Sequence, residues 1–571
     1  MELLQEVYYS RLNFVWRIFT ASKPSRLKNR ISVITNVLLL DNSDHTCYLY
    51  RSMKDSLHSI RRSARHFFSG TLLSRITGML RDMSMAYAFG TDPAIAAFMV
   101  SFRFAHLLRR LFGEGALQAA FVPEFEALRH KSEARAHTFF NNLAGFLTLF
   151  LVLLIALSCI GLSGILLFCD IDPSNYSILF LTLLMLPSLL FICLFGLNAS
   201  LLQCEKHYFI PSFAPVAFNI IWIAFVISLQ HVPTAQAMPW LSFGVVIACI
   251  FQWLFTVPQT WKIFTFNWRS FFHLSADLRQ IAKPLALGIL GVSATQINNA
   301  IDSLFARFAE PEGPAFLWYA MRIQQLPIAL FAIAIAGAVL PPLSRAIKTN
   351  QMDEYHYFLE NALLQTWKFM IPLTAIMFVL GDSGIHLIYG HGDFSSSSVV
   401  QTTLCLWAYS FGLIPSAIVL VLAPACYANK NYYLPAIASF ATLLLNGLLN
   451  TLFIQGFHLG AVSVAIATSI SAWLNLSLLS YHMRLNGTSI FSRRILKNIS
   501  SSFFAAAVAL SATYFFRLYI QQVPFLSNTL FSASLLTQIT LLLSQGAVFI
   551  FSYYLFYSIK LLSKFTLIGK V

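Results

Sequence analysis

Residues 72–82 read LLSRITGMLRD, inside a stretch otherwise dominated by Phe, Leu, Ala and Met. A guanidinium at a lipid-exposed helix centre costs about 2.5–3.5 kcal/mol on insertion scales. Arg75 and Arg81 therefore have to face water, counter-charge or ligand if this stretch crosses a membrane. Whether it does is decided by the rest of the chain.

The chain has 571 residues, 57% of them hydrophobic and 11% charged, where a soluble domain carries about 25% charged residues. Mean hydropathy is +0.68. The deficit of charge runs along the whole length in repeated apolar blocks of about 20 residues, the length that spans a bilayer. The sequence predicts an all-α polytopic membrane protein with 14 spans: about 67–90, 95–125, 138–168, 176–203, 212–231, 239–261, 281–308, 316–343, 364–389, 399–427, 434–456, 460–482, 499–519 and 530–558.

Alternate connections differ in charge. One set carries Arg129, Lys131 and Arg135, then Lys206, Lys262, Arg269, Arg345, Lys430 and Arg493 among others. The other set, including DIDPSN (170–175), AEPEGP (309–314), GHGDFSSSS (390–398) and QQVPFLSN (521–528), has no Lys or Arg. The positive-inside rule places the basic set and both termini of this multi-pass chain in the cytoplasm. The net charge of +15 is thus a topology signal rather than a nucleic-acid footprint. Arg517, near the outer end of the thirteenth span, is the exception. The eight cysteines form no CxxC pair and indicate neither zinc nor a disulfide framework.

Residues 1–65 differ from the rest, being basic (RRSAR at 61–65) with one short apolar run. They read as a poorly ordered extension, and Met53 would make a natural start. Beyond them a repeat is visible. CEKHYFIP (204–211) resembles ANKNYYLP (428–435), each followed by a span containing an Asn, Asn219 or Asn446, and AAFVPEF (119–125) echoes GAVLPPLS (337–344). Two six-helix lobes, 66–265 and 266–485, account for the spacing, with two further helices in 486–571. Repeats of this kind are a transporter design with substrate held between the halves.

Seven arginines fall inside the spans of the two lobes: Arg75, Arg81, Arg103, Arg109, Arg110, Arg307 and Arg322. Arg75 and Asp82, seven apart, share a helix face, so Asp82 is expected to neutralise part of that charge. Arg110 and Glu114 are i,i+4 partners. Arg322, in WYAMRIQQLP, has no acidic neighbour at i±3 or i±4, which marks it as an arginine whose counter-charge is not protein. Five arginines in the first lobe face Asp82, Glu114 and Glu124, leaving a cationic cavity. Guanidinium forks match phosphate oxygens and stay charged, so a pyrophosphorylated substrate is the sharp expectation.

No HExxH, GxSxG, Walker A or dinucleotide motif occurs, which argues against an enzyme and against ATP as the energy source. His386 and His391 are read as outer-loop residues. Asp302 in NNAIDSLF and the i,i+4 pair Asn446 and Asn450 offer oxygen ligands suited to Na⁺, a candidate coupling ion; no other cofactor is indicated.

SRITGMLRDMSMAYAFG (74–90) followed by FRFAHLLRRLFGEGALQAAFVP (102–123) resembles the signature of the MurJ (MviN) family of lipid II flippases. That family belongs to the multidrug/oligosaccharidyl-lipid/polysaccharide exporter superfamily. FIPSFAPVAFN (209–219), YAMRIQQLP (319–327) and VLAPACYANKN (421–431) continue the resemblance to the last spans. It implies two lobes working by alternating access on lipid II, an undecaprenyl-diphosphate-linked muropeptide, in peptidoglycan biosynthesis at the bacterial inner membrane. It also implies a monomer among membrane lipids, with no nucleic-acid partner. The family's cavity arginines fall on Arg75, Arg81, Arg109 and Arg322, with Ser74 and Glu114 matching the same motif. Its last two helices form a groove for a lipid tail, and a Na⁺ site in some members falls on Asp302, Asn446 and Asn450. Ala96 stands where the family commonly has Asp, which puts an outer-gate interaction in question. The alternatives are a flippase for another polyprenyl-diphosphate saccharide and an ion-coupled exporter of organic cations.

Overall fold

The computed structural model describes residues 69–112, 116–263, 276–429, 431, 433–485, 492–522 and 535–568, all within one compact unit, Phe67–Val571. The expectations for residues 1–65 lie outside them. Every regular element among the described residues is helical. Helix α1 covers 69–89. It is followed by α2 (Pro93–Phe112), α3 (Ala116–Lys131), α4 (Glu133–Phe168), α5 (Pro173–Met185), α6 (Ser188–Cys204), α7 (Phe209–Leu229), α8 (Thr234–Leu254) and the short α9 (Val257–Ile263). Then come α10 (Ala276–Ala309), α11 (Gly313–Pro327), α12 (Ile333–Lys348), α13 (Met352–Tyr389), α14 (Ser396–Phe411) and α15 (Leu413–Ala428). The chain continues with α16 (Tyr433–Thr451), α17 (Val462–Leu485), α18 (Arg493–Gln522) and α19 (Leu535–Ile568).

Nine of these helical segments, some joining two elements, are long and apolar enough to cross a membrane, and two bent pairs raise the number to 11. Helix α1, carrying Arg75, Arg81 and Asp82, is not among them. The predicted spans 176–203 and 399–427 are each broken, by 45° between α5 and α6 and by 42° between α14 and α15. Pro187 stands at the first break, where its missing N–H interrupts the helical ladder. Gly412 stands at the second, where a Cβ would lie 2.9 Å from the Ser469 Cα of α17. Ser469 Oγ donates to the Ala408 carbonyl (2.6 Å), satisfying an oxygen near the break. Outward faces are apolar in the way lipid requires: on α4, Leu157, Ile160, Leu167 and Phe168 are all exposed.

The buried apolar side chains form two principal clusters. One gathers residues of 85–249 with Ala315–Ile323 and residues of α13, α14 and α17; the other runs from Ala332 to Tyr553. Helices α10 and α11 pack against α2, and α10 also against α3 and α4. At one end of the bundle, the turn after α1 meets the turn after α13. Asp393 N donates to the Tyr87 carbonyl (3.0 Å), Thr91 Oγ1 pairs with Ser398 Oγ (2.7 Å), and Tyr319 Oη donates to the Gly90 carbonyl (3.3 Å). Gly90 and Gly392 have φ of +53° and +65°, and a side chain at either would collide with the facing backbone. The close approach thus needs glycine at both positions, for conformation and for space.

Candidate functional site

Between these helices lies a cavity of about 400 Å³. Helix α1 contributes Ser74, Arg75, Arg81 and Asp82, α2 contributes Arg103, and α11 contributes Trp318 and Arg322. Among the described residues, four guanidinium groups meet one carboxylate, a net formal charge of +3 with His106 neutral.

Asp82 is 2% exposed and shared. Its Oδ1 accepts from Arg81 Nη2 (2.8 Å) and Nε (3.2 Å), while Oδ2 accepts from Arg322 Nε (3.0 Å). Two sequence expectations are corrected here. Asp82 does not pair with Arg75 but with its neighbour and with a residue of α11, because the carboxylate points across the cavity rather than along its own helix. Arg322 does have a protein counter-charge, which a search of its own helix could not reveal. Arg75 is exposed and has no ion pair among the described residues.

Aromatic faces hold the guanidiniums in place. Arg81 lies over the Trp222 ring at 4.8 Å, and Trp318 sits beneath both Arg322 (4.6 Å) and Arg103 (5.5 Å). Ring quadrupoles attract cations without consuming hydrogen-bond donors, so stacking adds to the hydrogen bonds these groups make rather than replacing them. Asn219 of α7 ties down α1: its Nδ2 donates to Thr77 Oγ1 (3.0 Å) and the Ser74 carbonyl (3.2 Å), and its Oδ1 accepts from Arg81 Nη1 (3.3 Å). Gly78 lies beside this contact, and a Cβ there would meet Asn219 Nδ2 at 3.6 Å, an ordinary van der Waals distance. Arg103, Asn219, Trp222 and Trp318 were not singled out as site residues from sequence. Arg103 was visible as one of the span arginines, but nothing in the chain pairs it with Trp318. The side chains of Arg109 and Glu114 lie outside the described residues.

A second polar cluster surrounds Asp302, fully buried on α10. Oδ1 accepts from Asn446 (2.5 Å) and Asn450 (3.1 Å), and Oδ2 from Asn298 (3.1 Å) and Thr468 (3.0 Å). The structure thus joins Asp302, Asn446 and Asn450 and adds Asn298 and Thr468. The Oδ1 atoms of Asn446 and Asn450 are buried without a hydrogen-bond partner among the described residues. Arg103 Nη1 donates to the carbonyl of Asn299 (3.0 Å), one residue along from Asn298, so the cluster and the arginine cavity share a stretch of α10.

Other charged residues find specific places. Arg307 donates to the carbonyls of Pro93 (2.9 Å) and Pro311. Ala96 is buried, and Asp92 accepts from Ala94 N (2.7 Å) at the start of α2. His386 lies in the last turn of α13 rather than in a loop, its ring 6.2 Å from that of His391. Arg517 pairs with Asp382 (2.6 Å).

The sequence model of a family described as "Lipid II flippase MurJ" matches residues 85–536. A Chlamydia pneumoniae protein named "Probable lipid II flippase MurJ" is 34% identical over 435 residues, covering 76% of this chain and 78% of that protein. Among solved structures, an inward closed conformation of the lipid II flippase MurJ superposes with a TM-score of 0.70 at 24% identity, over 87% of this chain and 99% of that one. An inward-facing multidrug transporter of the MATE family gives 0.60 at 14%, over 77% and 99%. At these identities the structural likenesses establish the fold. Arg75 and Arg81 precede the residues matched by the family, so their place rests on the cavity geometry.

Proposed function

The chain belongs to the lipid II flippase MurJ family, and we propose that it moves lipid-linked peptidoglycan precursor from the inner to the outer leaflet of the bacterial cytoplasmic membrane. The observation that carries this is the cavity of four arginines against one carboxylate. A diphosphate diester carries two negative charges spread over four non-bridging oxygens, which guanidinium forks recognise bidentately.

The shared carboxylate gives binding a mechanical consequence. Asp82, on α1, holds Arg322, on α11, at 3.0 Å. A diphosphate entering the cavity competes with Asp82 for Arg322 and for the exposed Arg75. It replaces one carboxylate link between the two halves with a ligand that several arginines grip at once. Ligand binding shifts a conformational equilibrium only through such differential contacts. Two lobes, 66–265 and 266–485, would then rock about the ends now joined through Tyr87, Thr91, Asp393 and Ser398. The basic loops and both termini lie on the cytoplasmic side, and a monomer suffices for the cycle. Arg109 and Glu114 belong to the same substrate site in this reading, and the two helices of 486–571 accommodate the lipid tail.

Asp302, with Asn298, Asn446, Asn450 and Thr468, suits a monovalent cation. One carboxylate supplies a single negative charge, and among the described residues no group of three or more His, Cys, Asp or Glu side chains forms a site for a multivalent metal. Rotating the amides of Asn446 and Asn450 would turn their unpartnered carbonyl oxygens inward beside Asp302, giving the hard-oxygen set that Na⁺ prefers. The membrane potential contributes about 2.3 kcal/mol per charge per 100 mV to entry of such an ion.

An exporter of organic cations shares the fold but requires a cavity of the opposite sign. The test is rescue: expression of this chain in cells depleted of their own lipid II flippase restores growth, and the same cells die if the substrate is something else.

A further inference from the structure

A second cavity, of about 470 Å³, lies away from the arginine cluster, among the ends of α13, α14, α18 and α19. We infer that it binds the headgroup of a bilayer phospholipid bearing a primary ammonium, an aminoethyl phosphate, at the membrane face opposite the basic loops. The inference does not rest on the transport reading.

Position comes first. The lining residues Asp382 and His386 precede the end of α13, Val399 and Thr403 follow the start of α14, Arg517 and Ile520 close α18, and Gln538 and Gln545 open α19. The connections at this end, 390–395 and 523–534, contain no Lys or Arg. Val400 (56% exposed) and Leu404 (37%) flank the cavity on the outer surface, where acyl chains pack. A headgroup at a helix end with its tails alongside apolar side chains is the geometry of a lipid, not of a free phosphate.

Charge comes next. Arg517 Nη2 meets Asp382 Oδ2 at 2.6 Å, so the cavity has no net formal charge with His386 neutral. The central cavity attracts an anion; this one attracts a neutral molecule or a zwitterion. The ion pair offers a phosphate the remaining guanidinium N–H groups and offers an ammonium the carboxylate.

The unpartnered atoms distinguish among zwitterions. Trp407, Gln538 and Gln545 line this cavity, and Trp407 Nε1, Gln538 Oε1 and Gln545 Oε1 have no hydrogen-bond partner among the described residues; Gln545 is only 6% exposed. Buried polar atoms in native proteins are normally satisfied. One N–H donor is suited to a phosphate oxygen, and two amide oxygens are suited to the N–H groups of an ammonium. A trimethylammonium has no N–H to give them.

The experiment is native mass spectrometry of the full chain in detergent, titrated with phosphatidylethanolamine, its N,N-dimethyl derivative and phosphatidylcholine of identical acyl chains. The series keeps phosphate and tails and removes ammonium N–H groups in steps. The expected result is one saturable adduct whose affinity falls about tenfold or more from the first lipid to the last. Gln545→Met and Gln538→Met reduce that preference to about threefold or less while the unfolding midpoint of the lipid-free protein stays within a few degrees. Equal affinity across the series, a preference for phosphatidylcholine, or a preference unchanged in both variants overturns the assignment.

Discussion

Replacing Arg322 with Gln separates a structural role from a substrate role. The side chain keeps 38% exposure, so its pair with Asp82 is screened by solvent, and such pairs contribute about 1 kcal/mol or less. Loss of the stack on Trp318, now at 4.6 Å, removes about 0.5–1 kcal/mol more. Asp82 is not orphaned, because Arg81 still donates twice, at 2.8 and 3.2 Å. The total, about 2 kcal/mol, is small beside the 5–15 kcal/mol that typically separates folded from unfolded chains. Expression and melting temperature should therefore stay close to the parent. On the substrate, a charge-assisted hydrogen bond is worth about 1.5–3 kcal/mol, so affinity for a prenyl diphosphate should fall about 10- to 150-fold. Arg322→Lys, which keeps charge but loses the fork, should fall between. The assay is equilibrium binding of a fluorescent short-chain prenyl diphosphate to purified protein, with exposed Arg345→Gln as the control. Parent-like affinity in Arg322→Gln would refute the reasoning, as would collapse of the folded protein, which would make the residue structural.

Asp302→Asn removes the only formal charge of its cluster. The parent's melting temperature should rise in NaCl relative to KCl, by an increment equivalent to about 2.7 kcal/mol at 100-fold saturation, and the variant should show no such difference. Trp318→Leu takes the aromatic face from two arginines at once, and prenyl-diphosphate affinity should drop about 5- to 30-fold with little change in the Na⁺ response. Gly392→Ala imposes a Cβ at φ +65° against the Tyr87 carbonyl. It should loosen the joined end and raise the rate at which a Thr91→Cys thiol is alkylated in membranes.

The helical class was legible because lipid demands it residue by residue, and apolar length is a local property. Asp302, Asn446 and Asn450 stood out for the same reason: a polar side chain in an apolar span is conspicuous wherever it lies. Asn298, one turn before Asp302, obeys the same rule and was passed over, while Thr468 has no signature, since threonines are ordinary in such helices. Pairings across the cavity were not legible. Asp82 chooses Arg322 over Arg75 because α11 packs opposite α1, a fact of tertiary arrangement that no spacing along either helix encodes. Arg517 looked like a topological exception and is matched by Asp382 from another helix. The break at Gly412 depends on the approach of α17 through Ser469, although Gly and nearby Pro415 were there to be read.

The proposed transport cycle turns on the cavity arginines gripping a diphosphate. A cryo-electron microscopy structure of the chain with lipid II tests it most directly. Phosphate oxygens should lie within about 3 Å of guanidinium nitrogens of Arg75, Arg81 and Arg322, with Arg322 drawn off Asp82. Lipid II bound elsewhere, with the Arg322–Asp82 pair intact and the cavity filled only by water, would contradict it.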